Sequence, residues 1–160
     1  MNGLMPSQST TFRARAERVR TAPLLAVRPV LLVDDDPVSR EVIRQCLAEL
    51  GLSNPIDELK SGEQAIDQLR QYVDDSEAPL PALVLLDLRM PGCSGQDVLA
   101  WMRATARLAD IPVVVLTADD DAKSVTMLYR LGVRSYLVKP VGFAALASVI
   151  RDLDMPWMLT

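Results

Sequence analysis

From Pro29 onward, short apolar runs alternate with amphipathic stretches, and that alternation leaves this chain few folds to choose from. The runs VLLV at 30–33, LVLL at 83–86 and VVVL at 113–116, with IDEL at 56–59 and SYLV at 135–138, have the length of strands, and each is followed by residues with helical spacing. Successive βα units of this kind build a parallel sheet. Strands that are apolar almost throughout are expected where helices cover both faces of the sheet. The predicted fold is therefore α/β, five parallel strands with helices on both sides. IDEL is the least convincing strand.

The helix ends are marked by capping chemistry. Asp36 caps the first helix with Pro37 at its first position, and Val42, Ile43, Cys46, Leu47 and Leu50 form one stripe before Gly51 stops it. Ser61-Gly62-Glu63-Gln64 reads as a capping box opening a helix to about Tyr72. Ser94 caps a third helix from Gly95 to about Arg107, Asp120 or Asp121 a fourth that ends at Gly132, and a fifth covers Phe143 to Asp152. Residues 29–153 thus form one domain. A basic tail at 1–28 precedes it, and 154–160 make a short C-terminal tail.

The chain contains no histidine among its 160 residues, which removes Ser-His-Asp hydrolysis and histidine-metal sites, and assigns any phosphohistidine to a partner. Cys46 and Cys93 have neither metal-knuckle nor disulfide spacing. The longest apolar runs are too short to span a bilayer, and the N-terminus lacks a signal core, so the expectation is a cytoplasmic protein that does not bind membrane. Residues 1–28 hold five arginines against one glutamate, so of the net charge of −4 the tail carries +4 and the remainder −8. An acidic body is not expected to bind nucleic acid. The tail reads as flexible, with an arginine arm that touches membrane or nucleic acid as the alternative.

Four strand ends finish on reactive groups: Asp34 and Asp35 after the first strand, Asp87 after the third, Thr117 after the fourth and Lys139 after the fifth. In an open parallel sheet these ends meet in one crevice. Carboxylates about 5 Å apart at an effective dielectric near 20 repel by roughly 3 kcal/mol per pair, a strain relieved by a retained proton or a divalent cation. Hard oxygen donors without histidine or paired thiolates select Mg²⁺ or Mn²⁺. Asp87 then qualifies as a nucleophile toward phosphorus, with Lys139 and Thr117 answering the charge on the phosphoryl oxygens. Taken singly, a Thr after a strand is an ordinary cap, a strand-end Lys is solvated, and an acidic run before a helix suits the dipole. Their joint occurrence at four strand ends outweighs those readings.

VDDDP at 33–37, LLDLRMPG at 85–92, VLTA at 115–118 and YLVKP at 136–140 together resemble the receiver domain of bacterial two-component response regulators, in the same order along the chain. The resemblance implies a flavodoxin-like strand order 2-1-3-4-5. It also implies that Asp87 accepts a phosphoryl group from the phosphohistidine of a histidine kinase or histidine phosphotransfer protein. Asp35, Asp87 and the backbone carbonyl of Arg89 would bind the metal directly, Asp34 through water. Thr117 and Tyr136 would form the switch pair, Lys139 would pair with the phosphate, and the bond to Pro140 would be cis. Tyr136 is otherwise an aromatic that covers core at a strand edge.

Arg89, two after the acceptor, and Asp119, two after Thr117, depart from what is common in the family; they are expected to pair over the acyl phosphate and hinder the attacking water. Val141-Gly142 stands where the family often has Phe. A different enzyme class also fits LLVDDDPV, a haloacid-dehalogenase-type phosphatase with Asp34 as nucleophile and Asp36 as acid/base, but it leaves Asp87 without a role. A third reading is an unphosphorylated receiver-fold scaffold. Only a short segment ending in MPWMLT follows the fifth helix, so output is expected through the face of the fourth helix, fifth strand and fifth helix, or by onward relay; monomer and phosphorylation-dependent homodimer both stay open. As a switch, the protein would catalyse only its own phosphorylation and dephosphorylation.

Overall fold

The computed structural model describes residues 28–118 and 122–153, with the backbone alone at Ala122. Strands β1 Val30–Val33, β2 Ile56–Leu59, β3 Leu83–Asp87, β4 Val113–Thr117 and β5 Ser135–Val138 alternate with helices α1 Pro37–Glu49, α2 Gly62–Asp74, α3 Gly95–Ala104, α4 Ala122–Arg130 and α5 Phe143–Asp152. All neighbouring strands are parallel, in the order β2-β1-β3-β4-β5. This is the α/β fold expected from the sequence. Nearly all of the two tails, and Asp119 to Asp121, lie outside the described residues.

Alternating side chains send the strands into two cores. Val30, Leu32, Leu83, Leu85, Val114 and Leu116 pack with Ile43 and Leu47 of α1 and Leu146 and Ile150 of α5. Leu31, Val33, Val84, Leu86, Val113 and Val115 pack on the other face with Leu69 of α2, Val98, Leu99 and Met102 of α3 and Leu128 of α4. At about 1.5–3 kcal/mol for each large aliphatic side chain fully removed from water, the three central strands carry most of the driving force. β2 is an edge strand and half-buried throughout, which explains its weak pattern: it covers one neighbour and otherwise meets solvent.

Local chemistry departs from the sequence expectations in four places. β3 and β4 each run one residue further than predicted, because Asp87 and Thr117 still pair in the ladder, Asp87 beside Leu116 and Thr117 beside Val138. Val42 is 39% exposed and lies off the apolar stripe, whose buried members on α1 are Arg40, Ile43 and Leu47. The Ser61 hydroxyl does accept from the Gln64 amide at 3.0 Å, but the Gln64 side chain accepts from the amide of Lys60, so the reciprocal half of that box is displaced by one residue. The full box is at α3, where Ser94 and Asp97 cap each other's amides. That helix ends at Ala104 rather than near Arg107, since Thr105 turns to extended backbone and bonds its hydroxyl to the Trp101 carbonyl.

Arg103 in the last turn of α3 and Arg107 just beyond it hold loops in place. Arg107 donates to the carbonyls of Tyr72, Ser76 and Ala78, tying down the loop after α2. Arg103 donates to those of Leu131 and Gly132 at the end of α4, and to Ala109 and Ile111. Both satisfy helix-end carbonyls that have no partner within their own helix.

Candidate functional site

The carboxyl ends of β1 and β3 are adjacent, since the two strands pair directly along their length, and they deliver Asp34, Asp35 and Asp87 to one spot. One carboxylate oxygen from each lies within 4.8 Å of the others. Asp34 and Asp87 are buried, whereas Asp35 is exposed. Lys139, which follows β5, reaches across the crevice and stands 2.7 Å from Asp34 Oδ2 and 3.2 Å from Asp87 Oδ2. The Lys139–Pro140 peptide is cis. Thr117 is buried at the end of β4, between the acidic groups and β5.

Backbone groups fix the two buried carboxylates. Asp34 Oδ1 accepts the amide of Asp36 at 2.9 Å, and Asp87 Oδ1 accepts the amide of Arg89 at 3.2 Å. Asp36 uses its own side chain to cap α1 through the amide of Val38. Below Asp87, the α3 N-terminus presses so close that a Cβ on Gly95 would stand 2.1 Å from the Asp87 carbonyl oxygen. Only glycine fits there. The loop between β3 and α3 is held from outside by Glu63 of α2, whose Oε1 accepts the amide of Cys93 at 2.9 Å.

The three charges share one problem and divide it unevenly. Burial works to raise the pKa of Asp34, but Lys139, the Asp36 amide and the Ser39 hydroxyl outweigh it, and Asp34 titrates below its ordinary value. For Asp87 burial wins, assisted by the charge of Asp34, and its pKa is raised despite Lys139 and the Arg89 amide. Burial alone would lower Lys139; the two aspartates reverse that and raise it. The ammonium is nearer Asp34, in keeping with the split.

One ammonium does not saturate this site. Asp34 Oδ2 is buried and has no hydrogen bond, the Lys139 ammonium approaching it outside hydrogen-bonding geometry. A buried carboxylate oxygen met by one ammonium and gathered with two further carboxylates is what a hard divalent cation would complete. The residues present fit such an ion.

Above Thr117, a groove of about 590 Å³ opens between the β3–α3 loop and α4, bordered by Arg89, Met90, Gln96, Ser124 and Met127. Arg89 is exposed at its rim, while Asp119, its expected partner, lies outside the described residues. Tyr136 on β5 is half-buried and packs against the core beneath α3 and α4. Its ring meets that of Tyr129 edge-on, centroids 6.4 Å apart at 78°.

Residues 30–151 match the family of the response regulator receiver domain. This chain belongs to that family. It is 35% identical over 129 residues to the probable methanogenesis regulatory protein FilR2 of Methanothrix harundinacea, covering 81% of this chain and 83% of that protein. It is 30% identical to the response regulator Rcp1 of Synechocystis, covering 82% and 89%. Among solved structures it is similar to the bacteriophytochrome response regulator RtBRR, with TM-score 0.75, 37% identity and coverage of 84% and 82%, and to the Mn²⁺-bound form of Rcp1, with TM-score 0.65, 30% identity and coverage of 79% and 91%. Receiver domains take a phosphoryl group on an aspartate from a histidine kinase or phosphotransfer partner, bind a divalent metal, and act as signalling switches. The phosphatase reading gives way to this membership, and Asp36, its acid/base candidate, is occupied in capping α1.

Asp34, Asp35, Asp36, Asp87, Arg89, Thr117, Lys139 and Pro140 are at this end of the sheet, whereas Tyr136 lies within β5 opposite Val115 and Asp119 is outside the described residues. The sequence reading passed over Ser39, Arg40, Glu63 and Gly95. An arginine at the helical spacing of Ile43 and Leu47 was a visible signal for Arg40; Glu63 contacts a residue 30 positions away and left none.

Proposed function

We propose that Asp87 accepts a phosphoryl group from the phosphohistidine of a partner kinase or phosphotransfer protein in a Mg²⁺-dependent step. One observation carries the proposal: the carboxylates of Asp34, Asp35 and Asp87 converge within 4.8 Å while Lys139 touches two of them. A carboxylate oxygen of Asp87 attacks phosphorus, the N–P bond of the donor breaks, and its imidazole leaves with the electron pair. Asp34, Asp35, Asp87 and the backbone carbonyl of Arg89 would hold the cation, Asp34 by way of water, and the ion supplies charge neutralisation that lets a phosphoryl dianion approach carboxylates. Asp87 is aligned by the Arg89 amide, and Lys139 is placed to pair with a phosphoryl oxygen once one arrives.

Thr117 and Tyr136 are the switch pair in this reading. The Thr117 hydroxyl turns toward the phosphoryl group and Tyr136 fills the space it leaves, so phosphorylation selects one of two conformations. The readout surface is the face of α4, β5 and α5, where Met127, Tyr129, Val138 and Phe143 are 40–50% exposed. A protein target suits it, whereas the acidic body disfavours nucleic acid. A second copy of the chain is the alternative occupant. Among the described residues no helix is long and apolar enough to cross a membrane, and cytoplasmic action fits a phosphohistidine donor. Self-catalysed phosphorylation and dephosphorylation are the only chemistry required.

Incubation with acetyl phosphate and Mg²⁺, followed by intact-mass spectrometry, is expected to give a single phosphoryl adduct that Asp87→Asn abolishes and chelation prevents. An unmodified wild-type protein would leave the scaffold reading in place. Turnover of a generic phosphomonoester would restore the phosphatase reading.

A further inference from the structure

Position 40 of α1 lies on the face it shares with Ile43 and Leu47, yet it is an arginine, and it is only 8% exposed. A guanidinium withdrawn this far from water needs partners at its nitrogens. Nη1 donates to the backbone carbonyl of Asp34 at 2.7 Å, and Nε stands 3.3 Å from Glu58 Oε1 on β2. The other oxygen of Glu58 accepts from Arg44 at 3.0 Å, and Arg44 pairs with Glu41. An ionic ladder therefore runs from the outer face of α1, over the edge of the sheet, to the acidic pocket.

What Arg40 holds decides what it does. The carbonyl of Asp34 belongs to the peptide that joins Asp34 to Asp35, so its direction sets the orientation of both acidic residues contributed by β1. On the other side of Asp34, its amide donates to the Leu59 carbonyl of β2 at 3.0 Å. The residue is thus pinned at both of its peptide links. Without the Arg40 bond, the Asp34–Asp35 peptide would lose this link to α1, and Asp34 would be held on that side through its carboxylate alone, by the Asp36 amide, the Ser39 hydroxyl and Lys139.

We propose that Arg40, braced by Glu58, is a positioning residue for cation binding, holding the Asp34–Asp35 peptide so that both carboxylates meet the ion together with Asp87. The inference rests on the metal reading above. Its strength is that electrostatics alone predicts the opposite sign. Arg40 is a cation beside a cation site, so deleting its charge should tighten metal binding by Coulomb's law, whereas loss of a ligand-orienting bond should weaken it.

The test titrates Mn²⁺ into the full chain and counts the free ion by electron paramagnetic resonance, well below the melting temperature of each variant. Arg40→Met is expected to raise the Mn²⁺ Kd about tenfold, the scale of lost ligand-orienting contacts. Arg40→Lys keeps the charge but not the fork that reaches Glu58 and Asp34 together, and should fall between wild type and Arg40→Met. Acetyl phosphate labelling should require more Mn²⁺ to reach half of its maximal rate in both variants, the displacement following the change in Kd. Unchanged or tighter Kd values accompanied by a lowered melting temperature would make Arg40 a structural strut and overturn the proposal; if Arg40→Met fails to fold, Arg40→Lys decides alone. A wild-type protein that binds no Mn²⁺ would remove the metal reading itself, an outcome distinct from identical binding by wild type and variants.

Discussion

The two halves of the strand-end crevice are built to different tolerances. At β1 and β3 the two buried carboxylates are held by rigid groups: Asp34 by the Leu59 carbonyl, the Asp36 amide and Arg40, and Asp87 by the Arg89 amide with Gly95 pressed beneath it. Around α4, on the β4 and β5 side, the packing thins. Leu128 is the buried side chain among those described on α4, Met127 and Tyr129 stand half in solvent, and the groove over Thr117 lies directly below. Arg103 anchors the C-terminal end of that helix. Phosphoryl transfer needs fixed geometry at the acid side, and the switch proposed above needs two accessible arrangements on the other.

The sharpest way to break this contrast is to disturb the tight side. Gly95→Ala would place a methyl 2.1 Å from the Asp87 carbonyl oxygen and 2.7 Å from Leu88 Cα, and neither backbone atom has room to retreat. We expect a loss of about 3 kcal/mol, at the upper end for overpacking, together with weaker metal binding because Asp87 shifts with its carbonyl. Urea denaturation followed by Mn²⁺ titration checks both. A loss under about 1 kcal/mol would mean the β3–α3 junction yields more easily than its packing implies.

Asp87→Asn probes the same side in the opposite direction. Burial and the neighbouring Asp34 disfavour the ionised Asp87, whose pKa is raised. A group of this kind costs stability when charged, and that cost is relieved as pH falls through its folded-state value. The neutral isostere should therefore raise the metal-free melting midpoint at pH 7. The advantage should shrink as pH falls through the raised value and be gone below the ordinary carboxylate value, where position 87 is neutral in the folded and unfolded wild-type protein alike. A midpoint lowered by the substitution at pH 7 would show that the attraction of Lys139, not burial, governs the residue.

How much of this was legible beforehand follows the same division. Asp34, Asp35, Asp87, Thr117 and Lys139 could be found because each punctuates an apolar run, and a parallel sheet gathers such positions by construction. Which strands are neighbours is not written in any local pattern; the order came from resemblance. The supports were harder to see. Arg40 sits at the spacing of Ile43 and Leu47, but a stripe read from apolar residues alone admits Val42 and overlooks an arginine whose charge is satisfied by Asp34 and Glu58. The predicted reach of α3 to Arg107 failed for a similar reason: Arg103 and Arg107 serve carbonyls as many as 35 residues away, and a propensity argument has no access to those partners.

On the loose side, Tyr129→Ala should change stability little and switching more. An edge-on aromatic pair contributes about 0.5–1.5 kcal/mol, and Tyr129 is 50% exposed, so the lower part of that range applies to global unfolding. The consequence falls on Tyr136, which loses the ring against its edge. Side-chain NMR of Tyr136, recorded with and without a phosphoryl mimic, should reveal a redistributed rotamer population in the free protein. Identical populations would mean that the strand and core, rather than α4, hold Tyr136 in place, and the contrast between the two halves would lose its main support.

The smallest effect is expected at the rim that both halves share. Arg89 contributes its amide to Asp87 whatever side chain it carries, so Arg89→Ala leaves the acceptor aligned and removes only an exposed group beside the groove above Thr117. If that side chain obstructs the water that attacks the acyl phosphate, its removal should accelerate dephosphorylation about threefold, or roughly 0.7 kcal/mol of barrier, with labelling and metal affinity unaltered. Asp119→Asn should act in the same direction, and the double variant should add nothing further, because two partners in one obstruction are not independent. Loss of label timed after removal of acetyl phosphate measures this directly. An unchanged lifetime in Arg89→Ala would place control of hydrolysis entirely within the buried pocket, leaving the groove to the switch alone.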